Sequence, residues 1–484
     1  MSKCKLIIKD EVNIQINGLD IVTRRKIVSK LKYDLPYARH MPAFKLGRWD
    51  GTKTYFSIGG TGYLAHLDII LPIIHSDGYE IEVEDNRKPI DLKFQPITES
   101  YWADQGKVWP VGHRFAGEAI MLRDDQANAV NMFLDNPQSL QSISTGAGKT
   151  ITTATLSQLC EPYGRSMVIV PSKDLVLQTE EDYKNVGLDV GVYYGDRKEI
   201  DRTHTICTWQ SLDALDKKNP DQSILSLAEL IDGVTTVIVD ECHVASAEIL
   251  TKLLTQNFKH CPIRWGLTGT VPKEPYVYQG ILASLGSVIN KVTAKDLQDK
   301  GILADLHISV LQTTDIQTFK TYHAEYDFLV TDERRLKWMA SKIIEMTATG
   351  NTLVLVNRIE TGEMLIDLIP NSVFVNGKVK SKNRKSEYDE VKTSDDKVII
   401  ATFGVASTGI NLPRIFNLVL IEPGKSFTRV IQSIGRGIRK ADDKDYVDVY
   451  DITSTCKYAK KHLTERKRFY KEAQYPFTVT KVNI

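Results

Sequence analysis

A polyphosphate-binding chemistry is suggested by one short stretch, STGAGKT, residues 144–150. Gly146 and Gly148 let the backbone curl so that its amides face inward, with Thr145 and Ala147 between and beside them. Lys149 supplies a point charge for β and γ phosphates, and Thr150 offers a hydroxyl to magnesium at the start of the helical pattern KTITTATLSQL. The general pattern has a glycine five residues before Gly148, where this chain has Ile143. The order strand, glycine turn, helix therefore carries the assignment. Further on, the apolar run TTVIVDECH ends in two acids. An acid at a strand tip beside a phosphate loop can hold magnesium, and its neighbour can orient and deprotonate water. Asp240 is assigned to the metal with Thr150, and Glu241 to the water. Paired acids after a strand also make helix N-caps, and Lys149 and Thr150 upstream favour the hydrolytic assignment. ATP and Mg2+ are the implied cofactors.

What hydrolysis drives must be read elsewhere. LRDDQANAV (122–130) places Gln126, with Arg123, shortly before the phosphate loop, where an amide could bond an adenine edge twice. WGLTGT (265–270) puts Thr268 and Thr270 at another strand end. QSIGRGIRK (432–440) sets Gln432, Arg436 and Arg439 on one helical pattern, the two arginines three apart and so on nearly one face. Such arginines can neutralise charge on a transferred phosphoryl group, making closure of two domains a condition for hydrolysis.

The elements that must position these groups fall into three regions. Residues 1–92 read as a small α+β unit: strand CKLIIKDEVNIQI, helix DIVTRRKIVSKLKY, hairpin FKLGRWDGTKTYFSI turning at Asp50 and Gly51, helix LAHLDIILPIIHSDG and strand EIEVED. A linker with Pro89, Pro96 and Pro110 follows. Short β-branched runs then alternate with helical patterns, SLQSIST, SMVIVPS, HTICTWQ, TTVIVDE and IRWGLTGT, over a domain expected at 93–303. A second series, NTLVLVN, NSVFVNG, DKVIIATFG, FNLVLIEP and DYVDVYDI, defines 304–484. Alternation of this kind implies parallel sheets covered by helices.

Composition bounds the rest. With 484 residues, 42% hydrophobic and 25% charged, the chain should divide into about three domains and be soluble. Cys4, Cys160, Cys207, Cys242, Cys261 and Cys456 are scattered without a C-x-x-C pair, so neither a disulfide framework nor a zinc site is suggested, and a cytoplasmic setting fits. LAHLDIILPII, broken by His66, Asp68 and Pro72, is shorter than the roughly 18 residues a spanning helix needs. MSKCKLIIKD has no apolar run of signal-peptide type. Net charge is only +1, yet residues 1–50 carry eleven Lys/Arg against five Asp/Glu, residues 51–92 three against seven, and the last 30 residues eight against two. Local basic faces can contact phosphates in a nearly neutral protein; the alternative is a solvated helix face.

Taken in order, these stretches resemble the motifs of superfamily 2 helicases, nucleic-acid translocases with two RecA-like domains. The match runs from about 120 to 452: Gln126 resembles the Q motif, STGAGKT motif I, VPSKDLVLQ motif Ia, TWQSL motif Ic, DECH motif II, TGT motif III, LVLVNR motif IV, ATFGVASTGIN motif V and QSIGRGIR motif VI. The resemblance implies two tandem RecA-like parallel-sheet domains after the small N-terminal α+β domain. It implies that His243 links the hydrolytic site to Thr268, and that Ser172, Lys173, Thr208, Gln210 and Ser211, with Arg358, Thr402 and Ser407, grip phosphates of one strand without reading bases. Thr408, Gly409 and Asn411 would connect that grip to the nucleotide, which Gly409 and Gln432 also help to bind.

The segment MPAFKLGRWDGTKTYF (41–56) resembles the N-terminal domain of UvsW-type phage helicases, implying branched or forked DNA as partner, in host cytoplasm, for a monomer free of membranes. Arg48 and Trp49 interleave cation and aromatic there; Trp49 either stacks on a base or packs in the small domain's core. The helix KYAKKHLTERKRFYKEAQ either lies along duplex DNA or faces water. An RNA helicase, a restriction-type translocase subunit and a scaffold without ATPase activity are the alternatives.

Overall fold

The computed structural model describes residues 2–113, 115–218, 225–243, 247–377, 394–405, 414–426, 430, 433–435, 437–441 and 443–484. Two compact units emerge, one of residues 1–143 and 148–291, the other of 144–147 and 292–484. The division falls at 291/292 rather than the expected 303/304, and residues 1–92 share the first unit with the sheet that follows them.

The first unit begins with β1 (Ser2–Ile8) and β2 (Asn13–Asn17), an antiparallel pair. The sequence pattern predicts a single strand over residues 4–16; Asp10 breaks it, its Oδ1 accepting from the amides of Val12 (3.0 Å) and Asn13 (2.8 Å), a side-chain-closed turn. β3 (Lys32–Asp34) pairs with β4 (Thr52–Thr54), and β5 (Thr61–Tyr63) and β6 (Tyr79–Asp85) complete a sheet of order β5-β2-β1-β6. The hairpin expected over 44–58 is therefore absent: Pro42 starts a helical turn, Pro42–Lys45, and β4 takes β3 as its partner. Gly51 keeps its turning role at φ +78°, where a Cβ would meet the Phe44 ring at 2.8 Å. Helices Ile21–Lys30 and Leu67–Ser76 cover this sheet, burying Ile27, Ile70 and Ile74 against Leu6, Ile14 and Ile16.

The same unit holds an eight-stranded sheet, with β7 (Gln138–Ile143), β8 (Arg165–Val170), β9 (Val190–Tyr194), β10 (Arg197–Lys198), β11 (His204–Thr208), β12 (Val234–Asp240), β13 (Ile263–Thr268) and β14 (Val288–Val292) in the order β10-β9-β11-β8-β12-β13-β7-β14. The pairs from β9 through β11, β8, β12 and β13 to β7 are parallel. Their C-terminal ends share one edge, where Ile143, Val170, Thr208, Asp240 and Thr268 release the chain into the motif loops.

The second unit repeats the plan with seven parallel strands: β15 (Asp305–Thr313), β16 (Thr352–Val356), β17 (Ser372–Val375), β18 (Val398–Thr402), β19 (Asn417–Ile421), β20 (Tyr446–Ser454) and β21 (Phe477–Val482), ordered β17-β18-β16-β19-β20-β15-β21. The basic tail helix is Lys457–Glu472, and it crosses from β20 to β21 with Ala459, Leu463, Arg466, Phe469 and Tyr470 buried. One face is thus core, so the expectation that the helix lies along duplex DNA or faces water applies to its other face alone. Lys457, Lys460, Lys461, Arg468 and Lys471 are exposed, together with Thr464 and Glu472.

A charged cluster lies inside this unit. Arg335 Nη1 donates to Asp315 Oδ2 at 2.5 Å, and Glu422, at the end of β19 with φ +40°, lies 3.8 Å from Arg335 Nη2. Burial pushes the Glu422 carboxyl up to about 7, against the pull of Arg335 and Arg466. Because the folded value exceeds the ordinary 4.5, protonated Glu422 contributes stability below about pH 4.5 that is lost as pH rises through 7. Glu422→Gln is expected to gain relative to the parent over that window, by at most about 3 kcal/mol, read as diverging thermal midpoints between pH 4.5 and 7.

Candidate nucleotide site

Gly146 (φ +89°) and Gly148 (φ +73°) adopt the left-handed conformation that their positions in the loop demand. A Cβ on Gly148 would meet Gln126 Nε2 at 2.5 Å. Gln126 is buried, its Nε2 directed to Gly148 O at 3.5 Å and its Oε1 accepting from Arg123 N at 3.0 Å. Its amide thus packs on the phosphate loop, while the Arg123 guanidinium makes a two-pronged contact with Asp125 at 2.9 and 3.0 Å. The helix Lys149–Cys160 starts at the loop's end, so the positive pole of its peptide dipoles lies there, together with Thr150 in its first turn. Thr145 and Ala147 are buried.

Lys149 Nζ lies 2.7 Å from Glu241 Oε1, both side chains 8% exposed. In such surroundings an ion pair is held by geometry, since each partner is costly to leave alone. Glu241 adopts φ +50°, a strained conformation for a residue with a Cβ. Its Oε2 accepts from Gly269 N at 3.3 Å and is 3.4 Å from His243 Nδ1. His243 Nδ1 in turn lies 2.6 Å from Thr268 Oγ1, which donates to Thr270 O at 2.8 Å and accepts from Thr270 N at 3.2 Å. With the hydroxyl proton committed to Thr270 O, the histidine must be the donor, which assigns its proton to Nδ1. A connected path therefore runs from the phosphate-loop lysine through Glu241 and His243 to Thr268 and Thr270.

Asp240, at the tip of β12, accepts from Glu241 N at 2.9 Å through Oδ1. Asp240 and Thr150 are hard oxygen donors of the kind magnesium takes, and the ion typically completes its shell with water and substrate phosphates. Among the described residues no group of three or more His, Cys, Asp or Glu is gathered as an all-protein metal cage.

Along the same sheet edge, five expected strand-gripping residues line one cleft of about 450 Å³: Ser172, Lys173, Thr208, Gln210 and Ser211. Ser172 Oγ caps the helix Lys173–Asn185 and Thr208 Oγ1 caps Trp209–Asp216, each accepting at 3.3 Å. Gln210 Nε2 donates to Pro171 O at 3.1 Å, tying the two stretches together. Lys198 and Lys218 also line the cleft. Neither is evident in the sequence, where Lys198 follows Arg197 and Lys218 follows Lys217 as ordinary surface cations near turns.

In the second unit Val356 and Thr402 are register partners at the ends of β16 and β18, which places Arg358 and Thr402 at one sheet edge. The Arg358 guanidinium is 2.5 Å from Asp327 Oδ1 and stacks 5.2 Å from the Tyr326 ring centre. Arg439 forms a β-bridge with Leu303. Arg436, Gln432, Gly409, Ser407, Thr408 and Asn411 lie outside the described residues. Arg48 is exposed, and Trp49 is half-buried with Nε1 donating to Thr52 O at 3.0 Å.

Two family matches fall one on each α/β sheet, covering part of it: "Type III restriction enzyme, res subunit" over residues 119–273 and "Helicase conserved C-terminal domain" over 336–441. With the ordered motifs, they make the chain a superfamily 2 helicase of two RecA-like domains, an ATP-dependent enzyme. It is similar to the ATP-dependent DNA helicase UvsW of Enterobacteria phage T4, 24% identical over 457 residues, 89% of this chain and 87% of that protein. A putative DNA 3'-5' helicase Rad25 of Halobacterium salinarum is 25% identical over 335 residues, 66% of this chain and 52% of that protein. The fold is shared with a fragment of a putative HsdR subunit of a type I restriction enzyme from Vibrio vulnificus YJ016, at a TM-score of 0.55 and 18% identity over 74% of this chain and 67% of that one. Among the described residues no helix is long and apolar enough to cross a membrane.

Proposed function

We propose that the chain is an ATP-driven DNA helicase or translocase that unwinds or branch-migrates forked and recombination-type DNA, acting as a cytoplasmic monomer. The observation that carries it is the continuous path from Lys149 through Glu241 and His243 to Thr268, built on the sheet edge that also bears the hydroxyl-lined and lysine-lined cleft. In this reading Lys149 and the loop amides hold the β and γ phosphates, and an entering γ phosphate competes with Glu241 for the lysine. Glu241, once released, orients the attacking water. Asp240 and Thr150 hold magnesium, which supplies charge neutralisation on the phosphates. Arg123, Gln126, Gln432 and Gly409 serve nucleotide binding, and Arg436 and Arg439 the developing phosphoryl charge. His243, Thr268 and Thr270 pass the nucleotide state to the cleft, where Ser172, Lys173, Thr208, Gln210 and Ser211 hold a phosphate backbone. Arg358, Thr402 and Ser407 provide the second grip. Hydroxyls and amides of this kind hold a strand in any sequence.

The branched substrate is supported by the similarity to UvsW and by the excess of basic residues in 1–50, eleven against five. The test is the steady-state ATPase rate on single-stranded DNA, duplex, a four-way junction and structured RNA. Branched DNA is expected to stimulate most, and Lys45→Ala with Arg48→Ala to lower that stimulation severalfold relative to the rate without DNA. Strongest stimulation by RNA would refute the DNA assignment. Point variants are preferable to removing residues 1–92, because that segment shares a buried cluster with Ala283 of the first α/β sheet's own helix.

A further inference from the structure

The small N-terminal sheet is fastened to the elements that flank β13, the strand that leads into Gly269, whose amide donates to Glu241. Asn13 Nδ2 donates to Thr255 O at 2.9 Å, and Glu11 N to Lys259 O at 3.0 Å. Tyr55 OH donates to Tyr276 O at 2.5 Å, and His66 Nε2 is 2.8 Å from Gln279 Oε1. The acceptors belong to two places: the π-helical segment Leu253–Asn257 with the turn after it, and the helix Pro275–Leu285, which follows Thr270.

Those two places are joined to β13 by one side chain. Arg264, fully buried, donates through Nε to Ser284 O (2.8 Å), through Nη1 to Phe258 O (2.5 Å) and through Nη2 to Leu254 O (2.6 Å). Three carbonyls from two separate segments thus converge on a guanidinium rooted in the strand. Burial pulls the guanidinium down to about 10, opposed by Cys261 and then by the charges of Asp10 and Glu11 in the turn between β1 and β2. At the other end of the same strand Thr268 accepts from His243, and Gly269 N donates to Glu241 Oε2 at 3.3 Å.

We propose that Arg264 is a positioning residue that makes the N-terminal sheet part of the hydrolytic framework: the sheet's seat sets β13, and β13 sets the Gly269 amide against Glu241. The proposal rests on Glu241 as the group that orients water. A load on the N-terminal sheet is then transmitted to turnover without any contact between that sheet and the nucleotide. A strand is well suited to this, because its peptide units resist extension and its hydrogen-bonded neighbours fix its lateral position.

The test uses the full chain with Tyr55→Phe combined with Asn13→Ala, which removes two seat hydrogen bonds, and separately Arg264→Lys, which cannot satisfy three diverging carbonyls. ATP kcat and KM, affinity for a fluorescent DNA oligonucleotide, and hydrogen exchange of the segment 263–270 are measured, with Glu241→Gln as a control. The expected result is a kcat lowered about three- to tenfold, as for roughly 1 kcal/mol of misplacement, with KM and DNA affinity unchanged and exchange at 263–270 raised. A lowered thermal midpoint with kcat unchanged in the seat variant would overturn the proposal and leave the seat a purely structural contact. Should Arg264→Lys fail to fold, the seat variant alone decides. Retention of hydrolysis by Glu241→Gln would instead overturn the assignment of Glu241, an outcome distinct from failure of the coupling.

Discussion

Lys149→Ala is expected to lower ATP turnover by about a hundred- to a thousandfold, since removing a preorganised charge from a phosphoryl-transfer site costs on the order of 3–4 kcal/mol of transition-state stabilisation. The structure adds a second consequence. Lys149 is the cation 2.7 Å from Glu241 Oε1, in surroundings where both are about nine-tenths buried. Truncating the lysine removes that charge from beside a carboxylate that still receives Gly269 N, and breaking a buried pair on one side costs about 3–5 kcal/mol. Glu241→Gln removes the charge from the other side and keeps a group able to accept from Gly269. The double variant Lys149→Ala with Glu241→Gln should therefore unfold at a higher temperature than Lys149→Ala alone, although both are inactive. A double-mutant cycle on thermal midpoints and turnover checks both halves, and strictly additive midpoints would show that the 2.7 Å pair contributes no coupling.

The site is more legible in the sequence than the elements that hold it. Lys149, the pair Glu241 and His243, and Thr268 come from three separate stretches of the chain, yet each stands at or just after the end of an apolar strand run, and parallel strands must deliver their C-terminal ends to one edge. That rule brings the four together without knowledge of any side-chain contact. It also brings Ser172 and Thr208 to one cleft, because β8 and β11 are neighbours. It says nothing of Gln126, whose buried amide packs on Gly148 through a helix rather than a strand. β9 and β14 escape sequence reasoning because VGVYY and VINKV are short and carry Gly191 or polar residues in place of a β-branched run. The hairpin expected at 44–58 fails for a different reason: Asp50-Gly51 is a turn in sequence and structure alike, and the turn alone does not choose the strand's partner. Pro42 favours a helical turn just before it, and the free edge of β4 is taken by β3, which lies close to it through the Leu35 N to Gly51 O bond of 2.9 Å. Arg264 carries no signal in sequence at all, since IRWGLTGT reads as an ordinary strand until three carbonyls are found around its guanidinium.

Arg466 shows how far a charge count can mislead, and the expected result is a large loss of stability with DNA binding preserved. In sequence it belongs to the basic run of the tail helix. In the fold its Nε and Nη2 donate to Asp451 Oδ2 and Oδ1 at 2.8 and 2.9 Å, Tyr470 OH donates to Oδ2 at 2.8 Å, and Nη1 reaches Gly424 O at 2.8 Å. Both side chains of the ion pair are fully buried. The pair ties the helix Lys457–Glu472 to β20 and thereby delivers β21 to the sheet, where it pairs with β15. Arg466→Met keeps much of the volume and leaves Asp451 with only the tyrosine of these three donors, so the cost should be about 3–5 kcal/mol. For a unit of this size the midpoint of its unfolding transition should fall by on the order of 10 °C. Arg466→Met with Asp451→Leu should recover much of that loss, because replacing both partners removes the stranded charge as well as the bond. The salt dependence of DNA binding supplies the contrast: removing a cation that neutralises a DNA phosphate would lower its slope by about one, whereas removing a buried tie leaves the slope as it was. Lys460→Ala and Lys461→Ala on the exposed face of the same helix reverse the pattern if that face meets DNA, lowering the slope at constant midpoint.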